Sequence, residues 1–526
     1  MNYIKSLTIE GLKKFEHFDI EFDKNINIII GENESGKSTI LEAINICLNQ
    51  LYRNADKSII KELLNISNVN KFKENPSLEN LPKIYIEIEF NLDKDSKNNF
   101  LFYGMHNQDE NEKYGIKYTC ELNKEFEQEV FEFIKDKKIP YEYYEMKWTT
   151  FQGASFNILK QPLNYLTIDN SITTQYNTYN YYNKSVFKSK YDGNRMVKVK
   201  NDFRINIEDV FSDLKLEKIS DTQQFGIDTK KVILENIIAI LDNDVLLENK
   251  GKGIENLLKT QIALDKVKSK LDVVSIEEPE NHLSHTNLRK MLKNIETYKE
   301  DKQIIITTHS NLIVSGLNVQ NIIWINNEKA KRLENIDKDI AKFFQKSDNN
   351  SLLQFLLAKK VILVEGATEY ILIPKIFKKI LKKTLEEENI DIISCNGVTY
   401  KNFIHIAELM KKKVVVITDN DESQEKINEM NEYNQLHNNI KIYMDSNMQN
   451  WTWEVCLYNL NESELKNIIE IEDGAKYSYK GISYEDKPVL GKMLNNKSDT
   501  AYKIYMSNKE FKYPSYVTEA LEWIKK

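Results

Sequence analysis

Four residues near the start of the chain have the types and spacing needed to bind a nucleoside triphosphate. The segment GENESGKST contains Gly31, Gly36, Lys37 and Ser38 in the order G-x-x-x-x-G-K-S. It follows the apolar run INIII and precedes STILEAINICL, whose apolar residues repeat with a helical period. Glycines let backbone N–H groups face the β-phosphate, the lysine reaches the β and γ oxygens, and the serine hydroxyl serves Mg²⁺. The strand, loop and helix context therefore predicts an ATP-binding loop.

A pair of acids ends a second apolar strand, LDVVSI. Glu277 and Glu278 follow it directly, so one carboxylate could hold the Mg²⁺ water shell and the next could polarise the attacking water. His309 ends another strand, KQIIITTHS, where an imidazole could sense the γ-phosphate. A lone histidine at such a position is more often structural. Because the chain also contains the phosphate loop and the acid pair, we favour the functional interpretation of His309.

A second group of acids lies at the ends of two apolar strands in the C-terminal half. VILVEG supplies Glu365, and VVVITDND supplies Asp419 and Asp421. The carboxyl ends of neighbouring parallel strands converge on one crevice, so these side chains should meet there. Crowded carboxylates destabilise a fold unless cations neutralise them. The pattern therefore predicts a Mg²⁺ or Mn²⁺ site.

The apolar patterns around these motifs indicate two α/β units. Residues 1–30 alternate like a half-buried hairpin, and the later segment KIYIEIEFNL continues the alternation. The pattern weakens over residues 95–220, where the Tyr/Asn-rich stretch TTQYNTYNYYNK is interpreted as irregular or inserted. Strands and helices alternate again after residue 351, as in a parallel sheet. We expect the domain boundary between residues 345 and 358.

Composition narrows the function classes. No apolar run of the 526 residues approaches the roughly 18 to 20 needed to span a bilayer, and the first residues lack an export signal. We expect a soluble, cytoplasmic protein with no membrane partner. The net charge of −7 does not indicate bulk attraction to DNA, so local lysine patches, as at 378–383 and 411–413, would have to supply it. The four cysteines form no C-x-x-C pair, which argues against a zinc site or disulfide framework.

The nucleotide motifs resemble those of the ABC-type ATPase heads of the RecF, SMC and OLD (overcoming lysogenisation defect) group. The resemblance implies that Glu277 is the Walker B acid, Glu278 the catalytic base and His309 the switch histidine. It also implies that Asn281 to Leu283 form the D-loop. The implied ATP-binding residues are Gly31, Asn33, Gly36, Lys37, Ser38, Thr39, Glu277, His309, Gly251 and Gly253, with Ser38 and Glu277 also serving the metal.

In that group the ATP site closes only when a signature loop from a second head reaches the γ-phosphate. The segment KGKGIENLLKTQIAL, with Gly251 and Gly253, lies where such a loop belongs but lacks the full LSGGQ pattern. Gln152 and Gln175 are candidates for the Q-loop glutamine. The resemblance therefore implies at least a homodimer, with residues 205–260 as a candidate dimerisation element.

The C-terminal acids resemble the Toprim fold of topoisomerases, DnaG-type primases and OLD-family nucleases. The resemblance implies that Glu365 is a metal ligand and candidate general base, with Asp419 and Asp421 as further ligands. In the OLD family an additional helical glutamate supports a second metal, and Glu369 and Glu454 occupy suitable positions. That family also has a lysine further along the chain that could stabilise the phosphorane, and Lys497 is the candidate here. The implied catalytic residues are therefore Glu278, Glu365 and Lys497. Ordinary surface charge explains Glu454 and Lys497 equally well.

Three functions compete. A topoisomerase or primase does not account for the N-terminal head, and a RecF- or SMC-like repair ATPase that binds DNA without cleaving it does not account for the acids after residue 360. We therefore predict an α/β protein with an N-terminal ABC/SMC-like ATPase head (1–345), an inserted helical dimerisation element (205–260), and a C-terminal Toprim domain with a parallel sheet (355–526).

The resemblance to OLD nucleases of Gabija-type and retron-associated systems implies a DNA endonuclease in anti-phage defence that binds and hydrolyses ATP and needs Mg²⁺ or Mn²⁺ for cleavage. Its expected partners are DNA, further copies of the chain in a dimer or higher oligomer, and a helicase or a reverse transcriptase with its RNA/DNA. Without the resemblance, the residues predict two sites, one for a nucleotide and one for metal ions.

Overall fold

Two compact units make up the chain, Met1–Glu334 and Asn335–Lys526. The boundary expected between residues 345 and 358 lies inside the second unit as its contacts define it. The computed structural model describes residues 1–93, 99–156, 161–169, 176–191, 193–214, 216–217, 219–228, 231–265, 270–300, 302–326, 328–333, 336–346, 351–395, 400–472 and 474–526.

Two six-stranded sheets dominate the first unit. Its strands are β1 (Tyr3–Leu12), β2 (Phe15–Glu21), β3 (Ile26–Gly31), β4 (Ile84–Asn91), β5 (Tyr103–Gly104), β6 (Lys113–Leu122), β7 (Tyr144–Thr150), β8 (Tyr165–Asp169), β9 (Leu241–Asp242), β10 (Val245–Leu246), β11 (Val273–Glu277), β12 (Gln303–Thr307), β13 (Ile322–Asn326) and β14 (Lys329–Arg332). One sheet is antiparallel, in the order β2-β1-β4-β6-β5, with β7 also paired to β6. The other has the order β14-β13-β3-β12-β11-β8 and is parallel except for β14.

The helices of the first unit connect and cover these sheets. They are α1 (Lys37–Leu48), α2 (Ile59–Leu63), α3 (Ile66–Glu74), α4 (Phe131–Lys135), α5 (Tyr176–Lys190), α6 (Gly193–Asp213), α7 (Leu234–Ile237), α8 (Lys252–Leu264), α9 (His285–Tyr298) and α10 (Asn311–Gly316). Helix α1 contacts strands of both sheets, and its buried apolar side chains belong to the same core as theirs. The core therefore fixes the start of α1, where the phosphate loop ends.

The strands that carry the nucleotide motifs are the buried strands of the parallel sheet. Every residue of β3, β11 and β12 is buried, which explains their largely apolar sequences, since a parallel sheet is covered on both faces. In the register of the sheet Glu277 pairs with Asp169 on one side and with Thr307 on the other. The carboxyl ends of β8, β11 and β12 therefore lie level with one another.

The region 95–220 is more regular than its sequence pattern suggested. Among its described residues it contributes four strands, β5 to β8, and three helices, α4 to α6. The interpretation of TTQYNTYNYYNK as irregular is wrong from residue 176 onward, because α5 begins there. Tyr182 of this helix is only 3% exposed, so burial of aromatic side chains outweighs their modest helix propensity.

The segment 205–260 is only partly helical. Its described residues include the end of α6, the short α7, the hairpin of β9 and β10, and most of α8. Many of its apolar side chains are exposed, namely Ile205, Val210, Leu214, Leu216, Ile219, Phe225, Ile233, Ile237, Leu241, Val245 and Ile254. The predicted helical element is thus a mixed segment with an unusual amount of exposed apolar surface.

The second unit contains a four-stranded parallel sheet. Its strands are β15 (Lys360–Val364), β16 (Ile390–Ser394), β17 (Lys413–Ile417), β18 (Ile440–Tyr443), β19 (Ser478–Tyr479) and β20 (Ile482–Ser483), the last two forming a separate hairpin. Its helices are α11 (Lys338–Lys346), α12 (Ser351–Leu357), α13 (Ala367–Leu381), α14 (Lys401–Met410), α15 (Gln424–Leu436), α16 (Trp453–Lys466), α17 (Pro488–Asn495), α18 (Lys497–Met506) and α19 (Ser515–Lys525).

The order of the sheet in this unit is β16-β15-β17-β18, so β15 and β17 are the two central neighbours. Their buried side chains form one core with those of α13 and α16 to α19. All four cysteines of the chain lie within the described residues and are buried, free thiols. No helix in the described ranges is long and apolar enough to cross a membrane.

Candidate nucleotide site and carboxylate cluster

The phosphate loop runs from the end of β3 to the start of α1. Gly36 directly precedes the helix with φ 99°, in the left-handed region. A β-carbon at this position would lie 2.3 Å from the ring of Phe15, so only glycine satisfies both the backbone angle and the close approach. The Nζ of Lys37 donates to the carbonyl oxygens of Gly31 at 3.1 Å and Glu32 at 3.0 Å.

A cleft of about 520 Å³ opens over this loop. It is lined by Lys13, Lys14, Asn33, Glu34, Ser35, Gly36, Lys37, Ser38, Thr39, Glu278 and His309. The predicted loop residues, the predicted catalytic base and the predicted switch histidine therefore share one cavity. Lys13 and Lys14 were not predicted; they lie in the β1–β2 turn, and Lys14 donates to the carbonyl of Glu34 at 2.6 Å.

The predicted Walker B acid lies beside the predicted metal-binding serine. Glu277 accepts a hydrogen bond from the side chain of Ser38, which lowers its pKa. Burial, together with the charges of Asp169 and Glu278, outweighs this effect and raises the pKa of Glu277 to about 6. Asp169 was not predicted, although it ends the strand YLTID just as the other acids end theirs. Together, Ser38, Glu277 and Asp169 place hard oxygen donors next to the phosphate loop, as Mg²⁺ requires.

The segment after the acid pair is held by its own hydrogen bonds. Glu278 has φ 42°, and its Oε2 accepts from Nδ2 of Asn281 at 2.7 Å. Glu280, also not predicted, accepts from Thr308 Oγ1 at 2.8 Å and from the backbone N–H of His309 at 2.7 Å. The Glu280 carboxylate therefore ties the segment after β11 to the segment after β12.

The imidazole of His309 lies in a positive environment. Burial lowers its pKa, the charge of Lys37 lowers it further, and Glu278 opposes both effects. At neutral pH the ring is therefore neutral, able to accept a hydrogen bond on one nitrogen and donate from the other.

The two candidate signature glycines lie at the start of α8, but they differ in their surroundings. Gly251 is the N-cap, and a β-carbon there would meet nothing within 4 Å. A β-carbon on Gly253 would lie 2.5 Å from the carbonyl oxygen of His282, so this turn of α8 packs on the predicted D-loop. Only Gly253 is required by its contacts within the chain.

In the second unit, the structure brings Glu365 and Asp419 together at the ends of the two central strands. The Oε2 of Glu365 accepts from Thr418 Oγ1 at 2.8 Å and from the backbone N–H of Asp419 at 3.1 Å. Asp419 is 8% exposed. Burial raises its pKa well above the ordinary value, and the charges of Glu365 and Glu454 raise it further.

A buried hydroxyl joins Asp419 to Glu454. Thr452 Oγ1 lies 2.7 Å from Asp419 Oδ2 and 2.8 Å from Glu454 Oε2. One hydroxyl has one hydrogen to donate, so it satisfies both carboxyl groups only when one of them carries a proton. Glu454 also accepts from Thr368 Oγ1 at 2.7 Å and is 1% exposed. This burial rules out ordinary surface charge as the explanation of Glu454.

Glu369 and Lys497 complete this side of the cluster. Burial, followed by the charges of Asp419 and Glu454, raises the pKa of Glu369. Lys497 Nζ lies 2.9 Å from Glu454 Oε2. Burial disfavours its charged form, but Glu454, Asp419 and Glu369 outweigh this effect and raise its pKa. Four predicted residues from four different segments therefore interact in one place. They are Glu369, Asp419, Glu454 and Lys497.

Asp421 has a different environment. It is 40% exposed in its side chain, and its Oδ2 lies 2.5 Å from Nζ of Lys426, a residue that was not predicted. Asp421 and Glu422 have φ values of 49° and 62°, so two successive residues without glycine's freedom form the turn after β17. Asn420, 1% exposed, fixes this turn by donating to the carbonyl oxygens of Asp445 and Asn447.

The donor set fits a hard divalent cation. Carboxylate oxygens are the ligands that Mg²⁺ and Mn²⁺ prefer, and a cation could take the place of the proton that Thr452 now requires on one of its two partners. Within the described residues, however, no three His, Cys, Asp or Glu side chains are gathered tightly enough to enclose one ion. Thr418, Thr452 and Lys497 currently satisfy several of the oxygens.

Family comparisons agree with this division into two sites. Residues 2–314 match the AAA ATPase domain family. The chain belongs to this family. Residues 356–421 match the TOPRIM domain of proteins like the overcoming lysogenization defect protein. The two matches confirm the predicted order of an ATPase domain followed by an OLD-like Toprim domain in an α/β chain.

Individual relatives match only parts of the chain. The DNA replication and repair protein RecF of Clostridium kluyveri is 38% identical over 87 residues, which is 16% of this chain and 23% of that protein. The chain thus covers less than a quarter of this relative. The SMC head domain from Thermotoga maritima has TM-score 0.30 and 14% identity over 62% of this chain and 97% of its own. The C-terminal region of the Burkholderia pseudomallei OLD protein has TM-score 0.25 and 17% identity over 32% and 98%.

The Q-loop glutamine is still unassigned. Gln152 is exposed in the turn that follows β7 and is not among the residues lining the cleft. Gln175 lies outside the described residues.

Proposed function

We propose that this OLD-family protein is an ATP-hydrolysing, divalent-metal-dependent DNA endonuclease. The carrying observation is the carboxylate cluster itself, in which Glu365 accepts from the backbone N–H of Asp419, and Asp419 shares the hydroxyl of Thr452 with Glu454. A purely structural domain gains nothing from burying several acids together. A role in defence against phages is part of the proposal and rests on the family resemblance alone.

In the ATPase head, the residues divide the work of hydrolysis. The backbone of the phosphate loop and Lys37 hold the phosphates, while Ser38, Glu277 and Asp169 serve Mg²⁺. Glu278 lines the same cleft and is the base that orients the attacking water. His309 faces the same cavity as a neutral donor or acceptor for the γ-phosphate.

In the Toprim domain, Glu365, Glu369, Asp419, Asp421 and Glu454 would hold the cations. Bound Mg²⁺ or Mn²⁺ would neutralise this charge and act as a Lewis acid on the scissile phosphate. Glu365 also serves as a candidate base toward water. Lys497 is held in its charged form by the acids around it and is therefore suited to stabilise the extra negative charge on phosphorus.

The proposal also includes the assembly and its partners. A signature loop at Gly251 and Gly253 serves the ATP site of a second head, which makes the protein at least a homodimer. The exposed apolar side chains of residues 205–260 support a protein contact in this segment. DNA is the substrate, a helicase or a reverse transcriptase with its RNA/DNA is the candidate defence partner, and the protein acts in the cytoplasm.

Nicking of supercoiled plasmid tests the proposal. Purified protein with Mg²⁺ or Mn²⁺ should convert supercoiled plasmid to open circles or linear DNA, and EDTA should stop the reaction. Glu365→Ala and Asp419→Ala should each abolish it. The alternative is a RecF- or SMC-like ATPase that binds DNA without cutting it. Cleavage that is absent under all conditions, or that survives both substitutions, would favour that alternative.

A further inference from the structure

A second lysine, Lys426, lies beside the carboxylate cluster. It contacts a different acid from the one that Lys497 contacts. Lys426 lies in the first turn of α15, where Ser423 Oγ accepts from its backbone N–H at 3.3 Å. Its Nζ forms the 2.5 Å contact with Asp421 Oδ2. The helix cap and the turn after β17 thus fix the point from which this side chain extends.

The two lysines interact with different carboxylates. Lys497 responds to Glu454, Asp419 and Glu369. Lys426 instead contacts Asp421, and its charge also interacts with that of Glu365. Lys497 therefore interacts with the acids at the starts of α13 and α16. Lys426 interacts with the acids that follow β15 and β17.

The Lys426–Asp421 pair is also the more open of the two. Both of its side chains are exposed to a similar extent, 46% and 40%, whereas the partner of Lys497, Glu454, is 1% exposed. Ion pairs in contact with solvent are weak and exchange partners easily. A lysine ammonium is a compact charge with three rotating donors on a flexible stem, which suits it to a phosphate oxygen that approaches from solvent.

The charge balance gives that phosphate a reason to bind here. Five carboxylates lie in this region against two lysines, so a DNA backbone can approach only when cations neutralise the acids. A cation that bound Asp421 would take away the ion-pair partner of Lys426 and leave its positive charge available at the exposed edge of the site. An anion is then the group that restores the balance.

We propose that Lys426 binds a backbone phosphate of the DNA substrate beside the carboxylate cluster. This inference rests on the proposed nuclease function and extends it by naming the DNA contact on the Asp421 side. Lys426 is accordingly a substrate-binding residue, and its contact carries no base specificity.

Binding measured without cleavage tests this assignment. Fluorescence anisotropy with a labelled 30-base-pair duplex, in Ca²⁺ in place of Mg²⁺, gives the DNA affinity of the full chain at several salt concentrations. Lys426→Met should weaken binding equally for unrelated duplex sequences, and the slope of log affinity against log salt should become shallower by about one, the loss of one phosphate contact. Lys426→Arg should restore the slope.

A matched control separates this role from general loss of charge. Lys466 is 56% exposed and pairs with Glu462 at 2.7 Å on α16, so Lys466→Met removes a comparable ion-paired lysine away from the cluster. It should leave the salt slope unchanged. If Lys426→Met also leaves the slope unchanged while the unmodified chain binds DNA, Lys426 is only a counter-ion of Asp421 and the inference is wrong. If the unmodified chain binds no duplex at all, the nuclease proposal itself fails.

Discussion

The nucleotide site and the carboxylate cluster both place charged groups at the ends of parallel strands, but they compensate that charge in opposite ways. In the ATPase head, three lysines and the loop backbone line a cleft with few acids, an arrangement that attracts an anion. In the Toprim domain, acids outnumber lysines and threonine hydroxyls hold the carboxylates, an arrangement that attracts cations. The first site is built around phosphate and the second around metal.

The two sites also differ in how they are assembled along the chain. The phosphate loop is contiguous, so its geometry follows from one short segment between β3 and α1. The cluster draws its groups from the ends of β15 and β17 and the starts of α13, α16 and α18. A contiguous motif specifies its own shape, whereas a dispersed cluster depends on the packing of the whole unit.

The largest effects should come from removing one site at a time. Asp419→Asn should reduce plasmid nicking by about 10⁴-fold or more, the scale seen when one member of a catalytic unit is lost. Phosphate release from ATP by the same variant should continue, since Asp419 belongs to the other unit. Lys37→Ala should have the converse effect on ATP hydrolysis. Loss of both activities in either variant would show that the two sites do not act as separate centres.

A smaller effect is expected for the base of the ATPase. Glu278→Gln keeps the shape and the hydrogen bond to Asn281 but removes the carboxylate. ATP hydrolysis should fall by about 10²- to 10⁴-fold, the usual contribution of a general base. Binding of a fluorescent ATP analogue should persist, because the loop and Lys37 are intact. Hydrolysis at the original rate would assign the base to another residue.

The contrast between the sites explains what the sequence could predict. Gly36, Lys37 and Ser38 are recognisable because loop chemistry fixes their spacing. Glu365 and Asp419 are recognisable because each ends an apolar strand. Lys426 carries no such signal, since it lies on a polar helix and no strand or loop motif surrounds it.

Other residues were missed for related reasons. Thr452 donates to Asp419, which lies far from it along the chain, and Glu280 accepts from Thr308 in the segment after the next strand. No local pattern marks either residue. Asp169 could have been found, because YLTID has the same strand-then-acid form as the other motifs. The helix α5 was missed because tertiary burial, not propensity, stabilises it.

Thr452 offers a test of how the cluster holds its charge. Thr452→Val keeps the shape of the side chain but removes the hydroxyl between Asp419 and Glu454. These carboxylates then lose a shared partner, and metal affinity or nicking should fall by about 10- to 100-fold, as is typical when a group supporting a metal ligand is lost. Titration of nicking with Mn²⁺ measures the change. Thr452→Ser should retain most of the activity, whereas equal losses in both variants would point to packing instead of the hydroxyl.

The smallest effect, on stability, is expected for the two candidate signature glycines. Their surroundings differ, so alanine should have a different effect at each of them. Gly253→Ala forces a β-carbon against the carbonyl oxygen of His282, so the free energy of unfolding of the first unit should fall by about 1 to 3 kcal/mol. Gly251→Ala meets nothing within 4 Å and should cost only about 0.5 to 1 kcal/mol, the difference between glycine and alanine as an N-cap. Urea denaturation of both variants measures the difference. If Gly251→Ala nevertheless abolishes ATP hydrolysis in a fully folded protein, its role lies in a contact outside its own chain, as a signature loop that serves a second head requires.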